Sequence, residues 1–285
     1  EPPEDFGPKE EAQEDDYEIP EDIETEIKVG DLFEIGQHRL LCGDSADNEQ
    51  MMKLMNGEMA DIVFTDPPYG VDIGAKNRFL NTFQRSGRNL DDIKDDNVPK
   101  EELYTKLVSA FSNLKKHSKD CCTYFVTAPQ GGELGLMMMM MMKESGLPVR
   151  HVLMWYKNAP TFSMGRLDYE YQHEPILLTW NKTHKFYGLG EHKTSVWKID
   201  KPRANKEHPT MKPVKLVENA LLNNSKEQDN IVDIYLGSGS TMVAAHQLNR
   251  KCYGMEIDPK YCQVIIDRMR KLDPGITIKR NGEIY

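Results

Sequence analysis

The chain has 285 residues, of which 39% are hydrophobic and 29% charged, so it can bury the core of one large domain. Its longest apolar run, Leu136–Met142, falls far short of the ~20 residues that cross a bilayer, and it opens Glu1-Pro2-Pro3-Glu4-Asp5 rather than with a basic and apolar leader, so a cytoplasmic location is expected rather than a membrane or secreted one. The formal net charge of -10 is unevenly spread: residues 1–26 carry 13 acids against one Lys, whereas residues 150–215 carry 12 Lys and Arg against six acids.

In chain order, residues 1–26 are acidic, Pro-bearing and poor in large apolar side chains, which predicts a disordered linker with order beginning near Ile27. His38–Cys42 reads as a strand stopped by Gly43-Asp44, residues 47–56 as a helix, and Ala60–Thr65 as a strand that runs into Asp66-Pro67-Pro68-Tyr69-Gly70. Residues 71–98 are polar and without period, and are expected to form a mobile loop. A helix over 99–117 precedes a strand at Cys122–Thr127 and a Met-rich helix over 131–145, whose Met137–Met142 run is expected to pack in the core. A strand near Val149–Trp155 leads into residues 157–207, which are basic, aromatic and irregular, with short strands at Ile176–Trp180 and Thr194–Ile199. A helix from Pro213, a strand at Asn230–Tyr235, a helix over 239–249, a strand at Lys251–Glu256 and a helix at Pro259–Leu272 follow. Strands alternating with helices predict an α/β domain on a mostly parallel sheet. The five cysteines contain no Cys-x-x-Cys pair, which fits reduced thiols and argues against a disulfide scaffold or a cysteine zinc site.

Two segments carry chemistry. In Asp233-Ile234-Tyr235-Leu236-Gly237-Ser238-Gly239-Ser240 a strand ends in an acid, a Gly-rich turn follows and a helix begins. Such glycines let a ligand approach the backbone, and a helix N-terminus offers free N–H groups. Glu256 ends the next strand and is placed to accept from ribose hydroxyls; Gly43-Asp44 ends another strand in the same way. An ordinary pair of turns with acids stays open for these positions. In the second segment, Asp66 and the Pro67 carbonyl supply two acceptors on a turn stiffened by Pro67 and Pro68, and Tyr69 adds an aromatic face. That set suits a planar exocyclic amine, although a plain rigid turn explains it equally well. His173-Glu174 lacks a second His at helical spacing, so no metal is expected there.

Taken together, Asp66-Pro67-Pro68-Tyr69, the Asp233–Gly239 turn, Glu256 and His208-Pro209-Thr210-Met211-Lys212-Pro213 resemble the S-adenosylmethionine-dependent DNA amino-methyltransferases, in the motif order of the beta group. The resemblance runs from about Gly30 to Arg270 and implies a Rossmann-like methyltransferase fold with helices on both faces of the sheet and a small target-recognition insertion. It implies that Gly237, Ser238 and Gly239, with Asp233, hold the methionine part of S-adenosylmethionine. Glu256 would bind its ribose, Asp44 its adenine amino group, and Thr210 and Lys212 would lie near its carboxylate. Asp66, Pro67, Pro68 and Tyr69 would hold a base flipped from double-stranded DNA, at an unstacking cost of a few kcal/mol.

Residues 71–98, with Arg78, Arg85 and Arg88, are then a candidate DNA clamp beside the target base. Residues 157–207 are the candidate recognition segment, with Lys157, Arg166, Lys185, Lys198 and Arg203 facing phosphates or base edges. The leading Asp of the Pro-Pro motif resembles adenine-N6 enzymes; cytosine-N4 transfer, and an RNA or protein amine as acceptor, stay open. The stretch Gly30–Asp44 also looks like members in which a ParB-like domain comes first, which would make the acidic segment a linker to it. A homodimer is a further expectation, since members of this group often pair.

Overall fold

Ala60–Thr65 is apolar at most positions and buried at all of them, as a strand covered on both faces must be. The computed structural model describes residues 11–20, 22–69, 99–160, 168–188, 193–200 and 211–285. Within them the elements are β1 (Leu32–Ile35), β2 (His38–Cys42), α1 (Asn48–Met55), β3 (Ala60–Thr65), α2 (Lys100–Lys116), β4 (Ser118–Thr127), α3 (Gly132–Glu144), β5 (His151–Tyr156), β6 (His173–Trp180) and β7 (Val196–Lys198). They continue with α4 (Val214–Asn224), β8 (Asn230–Asp233), α5 (Ser240–Gln247), β9 (Lys251–Glu256), α6 (Pro259–Leu272), β10 (Ile278–Arg280) and β11 (Glu283–Ile284).

These strands form one sheet in the order β11-β10-β1-β2-β9-β8-β3-β4-β6-β5-β7. The neighbours β2, β9, β8, β3 and β4 run parallel. β6 is antiparallel to both β4 and β5, and β1, β10 and β11 extend the other side antiparallel. The sheet is thus parallel through its centre and mixed on the β6 side, where the edge strand β7 pairs parallel with β5; the β1 side is antiparallel. Crossover helices are what parallel pairing requires, and short connections such as Gly36-Gln37 between β1 and β2 permit only a hairpin; Gly36 there has φ +55°.

Side chains alternate along the strands between two apolar layers. Leu40, Cys42, Ile62, Phe64 and Phe125 pack with Leu216, Val243 and Ile265 of α4, α5 and α6. Leu41, Val63, Tyr124 and Val126 pack with Leu54, Leu107 and Met141 of α1, α2 and α3. Local signals set the helix ends. Asp47 accepts from the N–H groups of Glu49 and Gln50 at the start of α1, and Asn56 closes it at φ 49°. Asp258 caps α6, with Pro259 in its first turn.

Three expectations change. The acidic segment is not a free linker where it is described: Ala12 and Ile19 are buried, and Asp15, Asp16 and Glu11 pair with Arg268, Lys271 and Lys215. Its acids find basic partners on α4 and α6 that are far away in sequence. The methionine run is only half in the core. Met138, Met141 and Met142 are buried at helical spacing, while Leu136, Met139 and Met140 are exposed. The antiparallel strands β1, β10 and β11 were not anticipated, because each is too short to show a period. Among the described residues no helix is long and apolar enough to cross a membrane.

β3 leads through α2 to β4 on one side, and β8 leads through α5 to β9 on the other. The boundary between β3 and β8 is therefore a topological switch point, where a crevice opens at the carboxyl ends of the strands.

Candidate active site

Four adjacent strands deliver an acid to that one edge. Asp44 follows β2, Glu256 ends β9, Asp233 ends β8 and Asp66 follows β3. The β2–β9 register sets Cys42 opposite Glu256, and the Gly43 N–H donates to the Glu256 carbonyl at 2.9 Å. Asp44 is half-buried, and one of its carboxylate oxygens accepts from the Ala46 N–H at 2.9 Å.

The Gly turn is built from beneath. Asp233 is 3% exposed. Its carboxylate accepts from Thr65 Oγ1 at 2.7 Å, Thr241 Oγ1 at 2.6 Å and the Tyr235 N–H at 3.1 Å. Burial nevertheless pushes its carboxyl up to about 6. Asp233 therefore braces the turn rather than facing a ligand, which corrects the role the resemblance gave it; its three donors cost less than an unpaired buried carboxylate would. Gly237 and Gly239 have φ +53° and +88°, where a side chain is strained. A Cβ on Gly239 would come within 3.1 Å of Ile265, whereas one on Gly237 would meet nothing within 4 Å. No side chain caps the N-terminus of α5, which leaves its first N–H groups available to an anionic group. Glu256 accepts from the Gly237 N–H and the Asp258 N–H, each at 2.8 Å. Burial pushes its carboxyl up to about 7 against these two donors. A bare backbone at Gly237, an open helix end and a half-exposed carboxylate on the next strand fit a ligand with a carboxylate at one end and a ribose at the other.

Across the crevice, Asp66 is the hub of a dense polar cluster. Its Oδ1 accepts from Tyr69 Oη at 2.8 Å and from Thr127 Oγ1, and its Oδ2 accepts from Lys212 Nζ at 2.7 Å. Lys212 Nζ also lies 2.9 Å from Glu174 Oε1. Glu174 in turn takes Lys157 Nζ at 2.8 Å and Tyr69 Oη at 3.3 Å. Burial disfavours an ionised Glu174, but the ammonium groups of Lys212 and Lys157 overcome this and hold its carboxyl well below the usual range. Burial likewise disfavours the Lys212 ammonium, and Asp66 and Glu174 reverse the effect and raise it. Tyr69 is kept neutral by burial and by these two carboxylates. Pro67 is buried and Pro68 half-buried, so the turn itself is fixed.

Thr127 and Glu174 were not among the expected site residues. Both arrive by topology: Thr127 ends β4 beside β3, and β6 runs antiparallel, so its first residues return to the same edge. Only His173-Glu174 left a trace in the sequence, and it suggested metal ligation. Glu174 instead serves two lysines, and the His173 ring packs edge-on against Tyr171.

The expected DNA-facing residues separate. Lys157 is 5% exposed, is paired with Glu174 and lies over the Trp155 ring, so it is part of this cluster and not of a phosphate-facing surface. Lys185 lies 3.9 Å from Asp61 near the start of β3, at the end of the strand remote from Asp66. Lys198 is exposed on the short strand β7. Arg78, Arg85, Arg88, Arg166, Arg203 and Thr210, the 71–98 segment and His208 lie outside the described residues.

Comparison with known proteins gives the family and the fold. A family model for N6 and N4 methyltransferases, described as DNA methylase, matches residues 60–267. The type II methyltransferase M.HinfI of Haemophilus influenzae is 25% identical over 260 residues, which is 83% of this chain and 69% of that protein. The type II methyltransferase M2.LlaDCHI of Lactococcus lactis subsp. cremoris is 23% identical over 79% of this chain and 88% of its own length. Among solved structures, the PvuII DNA methyltransferase, described as cytosine-N4-specific, superposes with a TM-score of 0.60 at 18% identity over 85% of this chain and 88% of its own. The M1.HpyAVI–SAM complex superposes with a TM-score of 0.57 at 19% identity over 80% of this chain and 98% of its own. The structural likeness establishes the methyltransferase fold.

Proposed function

This chain belongs to the N6/N4 DNA methylase family, and on that premise we propose that it moves a methyl group from S-adenosylmethionine to the exocyclic N6 amine of an adenine flipped out of double-stranded DNA. The observation that carries the proposal is the Asp66 carboxylate. It sits one strand away from the bare backbone of Gly237, on a turn whose Pro67 cannot donate.

S-adenosylmethionine supplies an electrophilic methyl group on a sulfonium. The uncapped end of α5 and the Gly237–Gly239 backbone hold its amino-acid end, Glu256 its ribose and Asp44 its adenine. Asp66 and the Pro67 carbonyl accept the two hydrogens of the target amine and so turn its lone pair towards the methyl group. A transfer so aligned would form the N–CH3 bond as the S–CH3 bond breaks, the sulfur would keep the bonding pair and leave as S-adenosylhomocysteine, and the surplus amine proton would pass by way of Asp66 to water. Alignment of the two partners supplies most of the acceleration. When the amine takes Asp66 Oδ2, Lys212 keeps Glu174 as its counter-charge, so the buried ammonium is never left alone. Stacking of the base on the Tyr69 ring would be worth ~1–3 kcal/mol. Lys198 and the arginines of 71–98 and 157–207 neutralise phosphates.

Adenine is favoured over cytosine by the leading acid of the motif. The same geometry serves cytosine N4, and the relatives include a protein described as cytosine-N4-specific. The deciding experiment incubates the protein with tritiated S-adenosylmethionine and mixed genomic DNA, followed by nucleoside mass spectrometry. Label in N6-methyladenine is expected. Label in N4-methylcytosine would keep the mechanism and overturn the base assignment. No label in DNA would overturn the substrate.

A further inference from the structure

Arg268 on α6 is 1% exposed in its side chain, and its guanidinium is divided between two parts of the molecule. Nε and Nη2 donate to the two carboxylate oxygens of Asp15 at 2.6 and 2.8 Å. Nη1 donates to the Ser238 carbonyl at 2.8 Å and to Ser240 Oγ at 3.3 Å. Ser238 is the middle residue of the Gly turn, and Ser240 Oγ donates onward to the Lys212 carbonyl at 2.8 Å. One buried arginine thus ties the N-terminal acidic segment to the cofactor turn and to the backbone of the lysine that faces Asp66.

The segment is seated well enough to do this. The Ala12 N–H donates to Glu218 on α4 at 3.0 Å, the Gln13 N–H donates to Gln247 on α5 at 2.6 Å, and Ala12 joins the apolar layer below. A guanidinium this deeply buried needs a counter-charge. Asp15 is its bidentate partner, in the geometry that fixes an arginine plane most firmly. Without it, Arg268 gains by turning to water and abandoning the Ser238 carbonyl.

We propose that residues 11–20 form a clasp in which Asp15 positions Arg268 against the Gly turn, so that this acidic segment sets the affinity for the cofactor. The inference rests on the assignment of the Gly turn above and gives Asp15 and Arg268 the standing of positioning residues.

The test is calorimetric titration of the full chain with S-adenosylhomocysteine. Asp15→Asn keeps the shape and removes the charge, and Arg268→Lys keeps a charge but loses the fork; each is expected to weaken binding at least about tenfold, the worth of a hydrogen bond to a charged group. Asp15→Glu should recover most of the loss. Asp16→Asn makes the same charge change one residue on, at a side chain that is 89% exposed, and should stay within about twofold of the parent. In turnover, KM for the cofactor should rise while kcat at saturation holds, a split that general loosening would not give. Parent-like affinity in Asp15→Asn and Arg268→Lys would overturn the clasp, as would an equal loss in Asp16→Asn. Should Asp15→Asn not fold, Arg268→Lys alone decides. A parent chain that does not bind S-adenosylhomocysteine would overturn the Gly-turn assignment itself.

Discussion

The ammonium of Lys212 lies between two carboxylates, 2.7 Å from Asp66 Oδ2 and 2.9 Å from Glu174 Oε1. Asp66 is the acceptor proposed for the target amine, so the lysine marks where a donor binds, and Glu174 holds that lysine when the amine arrives. Asp66→Ala should therefore lower kcat by more than about 10²-fold, because the amine loses its orientation. Affinity for S-adenosylhomocysteine should survive. A parallel fall in both quantities would break this separation of roles.

Glu174→Gln should be harmful in a different way. It strips the counter-charge from Lys157, which is 6% exposed in its side chain, and half of it from Lys212. Breaking a buried pair by neutralising one partner costs about 3–5 kcal/mol. Urea unfolding should show a loss of that order together with reduced turnover. A variant as stable as the parent would mean that the cluster is hydrated.

Gly237 combines φ +53° with open space above it. Gly237→Val should abolish cofactor binding, both by straining the turn and by filling the approach. An active Gly237→Val enzyme with ordinary cofactor KM would refute the turn assignment.

Glu256 should make cofactor affinity depend on pH. Burial holds its carboxyl at about 7, above the ordinary 4.5. The ionised form accepts from two ribose hydroxyls, whereas the protonated form has given up part of that capacity. Affinity for S-adenosylhomocysteine should therefore fall between pH 8 and pH 6, and Glu256→Gln should bind weakly with a flat profile. The stability effect has the opposite sign. Because the folded value is the higher one, the contribution of this group is complete below pH 4.5 and is lost as the pH rises through 7.

Lys157 and Lys198 were alike in sequence and should differ in solution. Lys198→Ala should weaken DNA binding and reduce the salt slope by about 1, as for a phosphate contact. Lys157→Ala should cost stability and turnover and leave the slope alone. Filter binding across a salt series distinguishes them, and a reduced slope in Lys157→Ala would contradict its burial.

Much of this protein was legible before folding. Element type came from local signals, since β3 is apolar at most positions and α6 carries its own cap and Pro259. The Gly turn and Asp66-Pro67-Pro68-Tyr69 are contiguous, so backbone freedom at Gly237 and stiffness at Pro67 are properties of neighbouring residues. What each charge does was decided elsewhere. Asp66 and Lys212 are 146 residues apart, and Asp15 and Arg268 are 253 apart. The pairing of β3 with β8, and the hold of Ser240 at the start of α5 on the Lys212 carbonyl, bring the first pair together, and the seating of residues 11–20 on α4, α5 and α6 brings the second. A short period records which face of an element is buried. It carries no record of which distant carboxylate a lysine will meet, because Coulomb energy depends on separation in space and on exclusion of water. Hence Lys157 and Asp15 read as solvated charge in the sequence and became buried ion pairs in the fold.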